Sequence, residues 1–102
     1  MQRLDVEIEM RGFTYKLLRR GERVALYSQF CSDTGVLTGF ELFEIPTRPE
    51  EKIKDKVYPE REVYPPTSRW GRDAFTLSKF SKLEKVLKRF EEYEQSIAQT
   101  DN

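Results

Sequence analysis

The C-terminal part of the chain carries an apolar stripe with the period of an α-helix, and no other feature constrains the fold as strongly. Ser81 followed by Glu84 fits a capping box, in which the two side chains satisfy backbone groups of the first helical turn. We therefore predict a helix that starts at Ser81 and must bury its apolar side on another layer. The stripe recurs at spacings of three and four residues and consists of Leu83, Val86, Leu87, Phe90, Tyr93 and Ile97.

The first part of the chain has the period of two that half-buried β-strands show. Leu4, Val6, Ile8 and Met10 alternate with acidic residues and predict a strand over residues 3–10. Further strands are predicted over residues 13–18, 23–30 and 36–45. The last is expected to be a central strand or one covered by a helix, because both of its faces are apolar. The intervening turns are expected to use positive φ at Gly21 and Gly35, and Gly39 marks a candidate bulge.

All five prolines fall within residues 46–71, where they disfavour a continuous helix or a central strand. We predict a long loop there, followed by a turn at Trp70-Gly71 and a short last strand through Phe75. The predicted fold class is α+β, an antiparallel sheet of three to five strands with the amphipathic C-terminal helix packed on one face. We expect one domain over residues 1–98 and a frayed tail over residues 99–102.

Composition excludes more chemistry than it suggests. The 18 basic and 18 acidic side chains cancel, so no global field steers the chain toward nucleic acid or an anionic membrane. Histidine is absent, which removes the usual general base and the commonest metal ligand, and we predict no catalytic residue, no metal site and no cofactor. Cys31 is the only cysteine, and the chain has no apolar run long enough to span a membrane, so a cytoplasmic location is expected.

One triplet, Asp33-Thr34-Gly35, resembles the active-site triplet of aspartic proteases, whose retroviral members are dimers of chains of this length. In that family apolar residues precede the aspartate, and an apolar pair followed by glycine near the C-terminus supports the catalytic loop. Here Cys31 and Ser32 precede Asp33, and no glycine follows Gly71. We therefore predict a turn at the triplet, and a dimeric aspartic protease is the least favoured of the functions considered.

Two groups of side chains are candidate binding surfaces. Lys82, Lys85 and Arg89 fall along one edge of the helical stripe, where they either present a cationic row to a partner or cover the rim of the core with their stems. The second group interleaves aromatic rings with guanidinium groups, a composition that suits stacking on single-stranded bases or a protein hot spot. Alternatively, its rings plug one open end of the sheet. Its members are Tyr58, Arg61, Tyr64, Arg69, Trp70 and Arg72.

The order of these features resembles that of small proteins of bacteria, their phages and mobile elements. The resemblance rests on sheet-forming strands followed by a Tyr-Pro, Arg-Glu, Tyr-Pro stretch, then Trp-Gly and a Phe-containing strand that leads into an amphipathic helix. It implies no activity. We predict a non-enzymatic module that binds another protein, with a single-stranded nucleic-acid binder as the alternative.

Overall fold

A computed structural model describes residues 1–100, and its central element is a five-stranded antiparallel sheet with the strand order β1-β2-β3-β4-β9. The C-terminal helix α1, Leu83–Thr100, packs on one face of this sheet. This arrangement confirms the predicted α+β class. The strands of the sheet are β1 (Glu7–Met10), β2 (Phe13–Arg20), β3 (Val24–Cys31), β4 (Leu37–Glu44) and β9 (Ala74–Ser78).

The period of two in β3 and β4 sorts their side chains into two cores, one on each face of the sheet. Leu26 and Leu42 are fully buried on the face that α1 covers, where they pack with Val86 and Phe90 of the helix. Tyr27 and Phe43 are equally buried on the opposite face. Both faces of these strands are covered, so β4 is the interior strand, covered by a helix, that its two apolar faces predict.

The proline-rich segment covers the face opposite the helix, and it is more regular than the predicted loop. It contains four short strands that pair as two small antiparallel ladders, and then a single turn of 3-10 helix at Thr67–Arg69. Proline is tolerated there because these ladders are short and lie outside the main sheet. The strands are β5 (Thr47–Arg48), β6 (Glu51–Ile53), β7 (Lys56–Tyr58) and β8 (Arg61–Glu62), with β5 paired to β8 and β6 to β7.

A well-buried ion pair holds this segment to the sheet. The Arg20 guanidinium, at the end of β2, donates to both carboxylate oxygens of Glu62 at 2.6 and 2.9 Å. The Leu4 backbone N–H donates to the same carboxylate at 2.9 Å. The side chains of Arg20 and Glu62 are only 16% and 7% exposed. Glu62 therefore connects β2, the N-terminal segment and β8 through one group.

The turns differ in part from the sequence prediction. Gly35 has a φ of 73° and Gly71 a φ of 89°, as expected of turn glycines. Gly21, in contrast, does not adopt a positive φ. A Cβ atom built there would overlap the Glu94 carboxylate, so this glycine makes room for a helix side chain. The predicted bulge falls one residue before Gly39, because Gln29 pairs with Gly39 whereas Phe30 pairs with Leu37.

Element boundaries also shift. The first strand begins at Glu7 rather than at residue 3. The helix begins at Leu83, where the Lys82 carbonyl accepts from Val86, so Ser81 precedes the capping position and the predicted capping box does not form. Leu83 itself is 52% exposed and lies outside the buried stripe. Helix α1 includes residues 99 and 100 of the predicted frayed tail, whose last two residues lie outside the described part of the chain.

Within residues 1–100, no helix combines the length and the apolarity needed to cross a membrane.

Candidate binding surfaces

The three cations predicted to form a row on the helix line one groove between α1 and the end of β9. We call it the basic groove. Its volume is about 480 Å³, and Leu77 and Val86 provide apolar lining. Lys82, Lys85 and Arg89 are all exposed around it, so the structure brings the predicted row together.

Phe80, which also lines the basic groove, is 86% exposed. It lies in the connection between β9 and α1, where its backbone N–H donates to the Ser78 hydroxyl at 3.1 Å. The Lys79 ammonium lies 5.1 Å from the ring centroid, within the range of a cation–π contact. A large ring held in solvent beside charged groups is typical of a binding surface rather than of a core.

The charge order along α1 is opposite to that favoured by the helix dipole. Cationic side chains occupy the N-terminal half, where the partial charge of the helix is positive, and Glu91, Glu92 and Glu94 follow in the C-terminal half. The Arg89 guanidinium lies 5.9 Å from the Phe75 ring centroid, within the range of a cation–π contact. The basic groove therefore concentrates positive charge at a position where it opposes helix stability.

The second predicted surface is divided by the fold, because Tyr64 is largely buried. Its ring centroid lies 5.1 Å from that of Tyr15, 5.7 Å from that of Tyr27 and 4.8 Å from that of Phe43. Trp70 packs beside it at 6.4 Å. Tyr64 thus packs into the core, as in the plug alternative, but it does so over one face of the sheet rather than at an open end.

The remaining members of this group form separate contacts. Tyr58 is 37% exposed, and the Arg61 guanidinium lies 5.8 Å from its ring centroid and donates to Glu51 at 3.0 Å. Arg69 pairs with Asp73, and Arg72 is exposed. Arg61, Tyr64 and Arg69 line one depression, of about 420 Å³, whereas Tyr64 and Trp70 line a different one. The structure therefore does not assemble all six residues into one face.

A second pocket, which the sequence did not predict, lies beside Tyr64 on the face opposite the helix. We call it the Glu41 pocket. Its volume is about 480 Å³, and Tyr15, Tyr64 and Trp70 provide aromatic walls. Glu41, in the middle of β4, is only 5% exposed at its inner end, whereas Arg11 and Arg48 are exposed at its rim.

Glu41 is buried without a cationic partner among the described residues. The side-chain amide of Gln29 donates to it at 3.3 Å and also donates to the Tyr15 hydroxyl at 3.0 Å. Burial raises the pKa of Glu41 above its usual range, although the hydroxyls of Tyr15 and Tyr64 partly offset this effect. Burial together with the nearby Glu41 charge also raises the pKa of Tyr64. Within residues 1–100, the buried Tyr64 hydroxyl makes no hydrogen bond of good geometry.

The rim of the Glu41 pocket is set by two local structures. Arg11 lies in the turn between β1 and β2 with a φ of 55°, and Gly12 follows with a φ of 83°, a pair of left-handed residues typical of a tight hairpin turn. Arg48 lies in β5, which β8 holds in register. The pocket therefore depends on the proline-rich segment for one of its two rim cations.

The Asp33-Thr34-Gly35 triplet lies in the turn between β3 and β4, as predicted. The Gly35 N–H donates to the Cys31 carbonyl at 2.8 Å, and the Thr34 hydroxyl accepts from Val36 at 3.3 Å. Cys31 is a free, partly buried cysteine, and hydrogen bonds from Thr34 and then from backbone N–H groups lower the pKa of its thiol. Within the described residues, no group of three or more acidic or cysteine side chains converges as metal ligands would.

Comparison of the chain with models of protein families, with curated proteins and with solved structures finds no match in any of the three. The resemblance to small bacterial and phage proteins therefore stays a prediction, and any function has to be argued from these surfaces.

Proposed function

We propose that this protein is a non-enzymatic module that binds another protein, and that the basic groove accepts an acidic segment of that partner. The observation that carries the proposal is the 86% exposed ring of Phe80 beside a groove that Lys82, Lys85 and Arg89 surround. An exposed ring offers an apolar anchor, and aromatic residues, including phenylalanine, are enriched at protein interfaces.

Charge complementarity defines the chemistry of the segment. Three cations around one apolar groove are matched by a peptide that carries Asp or Glu on both sides of a large apolar side chain. Lys82 and Lys85, at the N-terminal end of the helix, oppose its dipole, so they cost stability in the free protein and gain a favourable interaction when an anionic partner is present.

A protein partner is favoured over a single-stranded nucleic acid. The groove is short, and the cations of α1 give way to Glu91, Glu92 and Glu94 further along the same helix. A nucleic-acid backbone extending in that direction would meet these carboxylates, whereas a short acidic peptide would not. We also propose a cytoplasmic location, because the single cysteine is unpaired and the fold needs no disulfide.

The proposal is tested by selecting peptides from a displayed random library on the wild-type protein. We expect enrichment of Asp and Glu around one large apolar residue. Selected peptides should lose about 2 kcal/mol or more of binding free energy on Phe80→Ala, measured by fluorescence polarisation. They should also fail to bind a K82E/K85E/R89E variant.

A matched control reverses three exposed lysines on the β6–β7 ladder, K52E/K54E/K56E, and should leave peptide binding unchanged. A labelled mixed-sequence oligonucleotide provides the opposing measurement. Affinity for it that falls with salt at a logarithmic slope of about 2, as about three neutralised phosphates would give, would favour the nucleic-acid alternative. Peptides without acidic enrichment would exclude the proposed partner chemistry.

A further inference from the structure

The Glu41 pocket has the features of a binding site for a small molecule, and it lies on the opposite face of the sheet from the basic groove. Its volume of about 480 Å³ is in the range of pockets that hold small ligands. Tyr64, Pro65 and Trp70 form part of its wall, so the proline-rich segment shapes it.

The inner end of the pocket is suited to bind a cationic group. Glu41 is 5% exposed, and no Lys or Arg side chain of the described residues forms an ion pair with it. Buried carboxylates are normally paired, because an isolated charge loses its hydration without compensation. Tyr15, Tyr64 and Trp70 present aromatic rings around the same space, and aromatic rings attract ammonium groups.

The rim of the pocket is suited to bind an anionic group. Arg11 and Arg48 are exposed there, and neither forms an ion pair in the described part of the chain. A guanidinium group binds carboxylates with two parallel hydrogen bonds, which makes these side chains suitable for fixing the outer end of a ligand.

We infer that the Glu41 pocket binds a small zwitterion, with its ammonium group against the Glu41 carboxylate and its carboxylate group against Arg11 and Arg48. The ligand class is an amino acid in which a short chain separates the two charged groups. This site is independent of the basic groove and of any protein partner bound there.

Trp70 is the only tryptophan, so its fluorescence and its indole N–H signal report directly on the occupancy of the pocket. The probes are glycine, 4-aminobutanoate and 6-aminohexanoate, which vary the distance between the charges, together with butylamine and butanoate, which carry one charge each. We expect a saturable change with at least one zwitterion, and weaker binding of the corresponding single-charge probes.

Two variants locate the charges. Glu41→Gln keeps the shape and should weaken binding of the best zwitterion by about tenfold or more, because the ammonium loses its counter-charge. Arg48→Gln should weaken the zwitterion but leave butylamine unaffected. The exposed Glu9→Gln on β1 is the matched control and should change neither.

Glu41→Gln is expected to fold, with a thermal midpoint equal to or above that of the wild type, because it removes an unpaired buried charge. If the variant does not fold, the wild-type probe series still decides the question. The absence of a saturable signal with every zwitterion at millimolar concentrations would overturn the inference. Equal affinity for butylamine and 4-aminobutanoate would overturn it as well.

Discussion

Removing the Glu62 carboxylate should destabilise the protein far more than removing an exposed acid. Glu62 accepts two hydrogen bonds from Arg20 and one from the Leu4 backbone, and its side chain is only 7% exposed. Glu62→Ala leaves the largely buried Arg20 guanidinium without a counter-charge. Breaking a buried pair in this way costs about 3 to 5 kcal/mol, a large fraction of the 5 to 15 kcal/mol by which domains are stable, both as rough ranges.

The assay is thermal and urea unfolding followed by circular dichroism. A loss of about 3 kcal/mol should lower the midpoint by roughly 12 °C or more in a chain of this size. Glu44→Ala is the matched control, because Glu44 also pairs with an arginine, Arg23, but at side-chain exposures of 28% and 44%. An exposed pair is worth about 1 kcal/mol or less.

A double variant distinguishes the net contribution of the ion pair from the penalty of leaving one charge buried without its partner. Arg20→Met combined with Glu62→Leu removes both charges, so this double variant should be more stable than Glu62→Ala, which leaves the Arg20 charge unpaired. The pH dependence gives a further check. Hydrogen bonds from Arg20, followed by that of the Leu4 backbone, lower the pKa of Glu62. Its contribution is therefore present above its unfolded pKa of about 4.3 and is lost as the pH falls through the depressed value. Equal midpoints for Glu62→Ala and Glu44→Ala would refute this reasoning.

Three further predictions concern the core, the tyrosines and the β3–β4 turn. Phe90→Ala should lower the free energy of unfolding, measured in urea, by about 3 to 5 kcal/mol, because it deletes a ring that is 95% buried between α1 and the sheet. An unchanged urea midpoint would mean that α1 does not pack on the sheet through this ring. Burial raises the pKa of Tyr27 to about 12. The stability that the neutral Tyr27 side chain contributes is therefore complete below its unfolded pKa of about 10 and is lost as the pH rises through about 12. The loss is roughly 1.4 kcal/mol for each pH unit between these two values. Tyr27→Phe should make unfolding less sensitive to alkali, and an unaltered alkaline slope would contradict this. Asp33→Asn should leave the free energy of unfolding within about 0.5 kcal/mol of the wild-type value. Acid-dependent peptide cleavage by the purified protein that this change abolished would revive the protease alternative.

Periodicity was sufficient to predict the layers of this fold. The sequence predicted that residues 36–45 form a strand with two apolar faces, and in the structure Leu42 and Phe43 of β4 are buried on opposite faces of the sheet. Boundaries were less accurate, because the capping-box pattern at Ser81 depends on a helix start that the backbone places at Leu83. Gly21 shows a second limit, since its role is to accommodate a side chain from the other end of the chain, and local sequence contains no sign of that contact.

The candidate sites show the same division between local and long-range information. Lys85 and Arg89 share one face of α1 and Lys82 directly precedes the helix, so their spacing was enough to predict the row that lines the basic groove. Glu41 was missed, because its burial depends on Tyr64, which the proline-rich segment brings back over the sheet. The only local signal was a carboxylate in the middle of the most apolar strand, where burial of a charged side chain is costly unless it is paired or hydrogen-bonded.

The position of β9 has a consequence for the order in which the protein can assemble during synthesis. Strands β1 to β4 follow one another as hairpins, so they can pair as soon as they leave the ribosome. The last strand and α1 come only after the whole proline-rich segment. Until then Leu26, Phe40 and Leu42 have no helix to cover them, whereas Tyr64 can already close the opposite face. The nascent chain thus passes through a state in which the core opposite the helix lacks only the contribution of β9, including Ala74, while the other apolar face is exposed to solvent. A chaperone would be needed most in this interval.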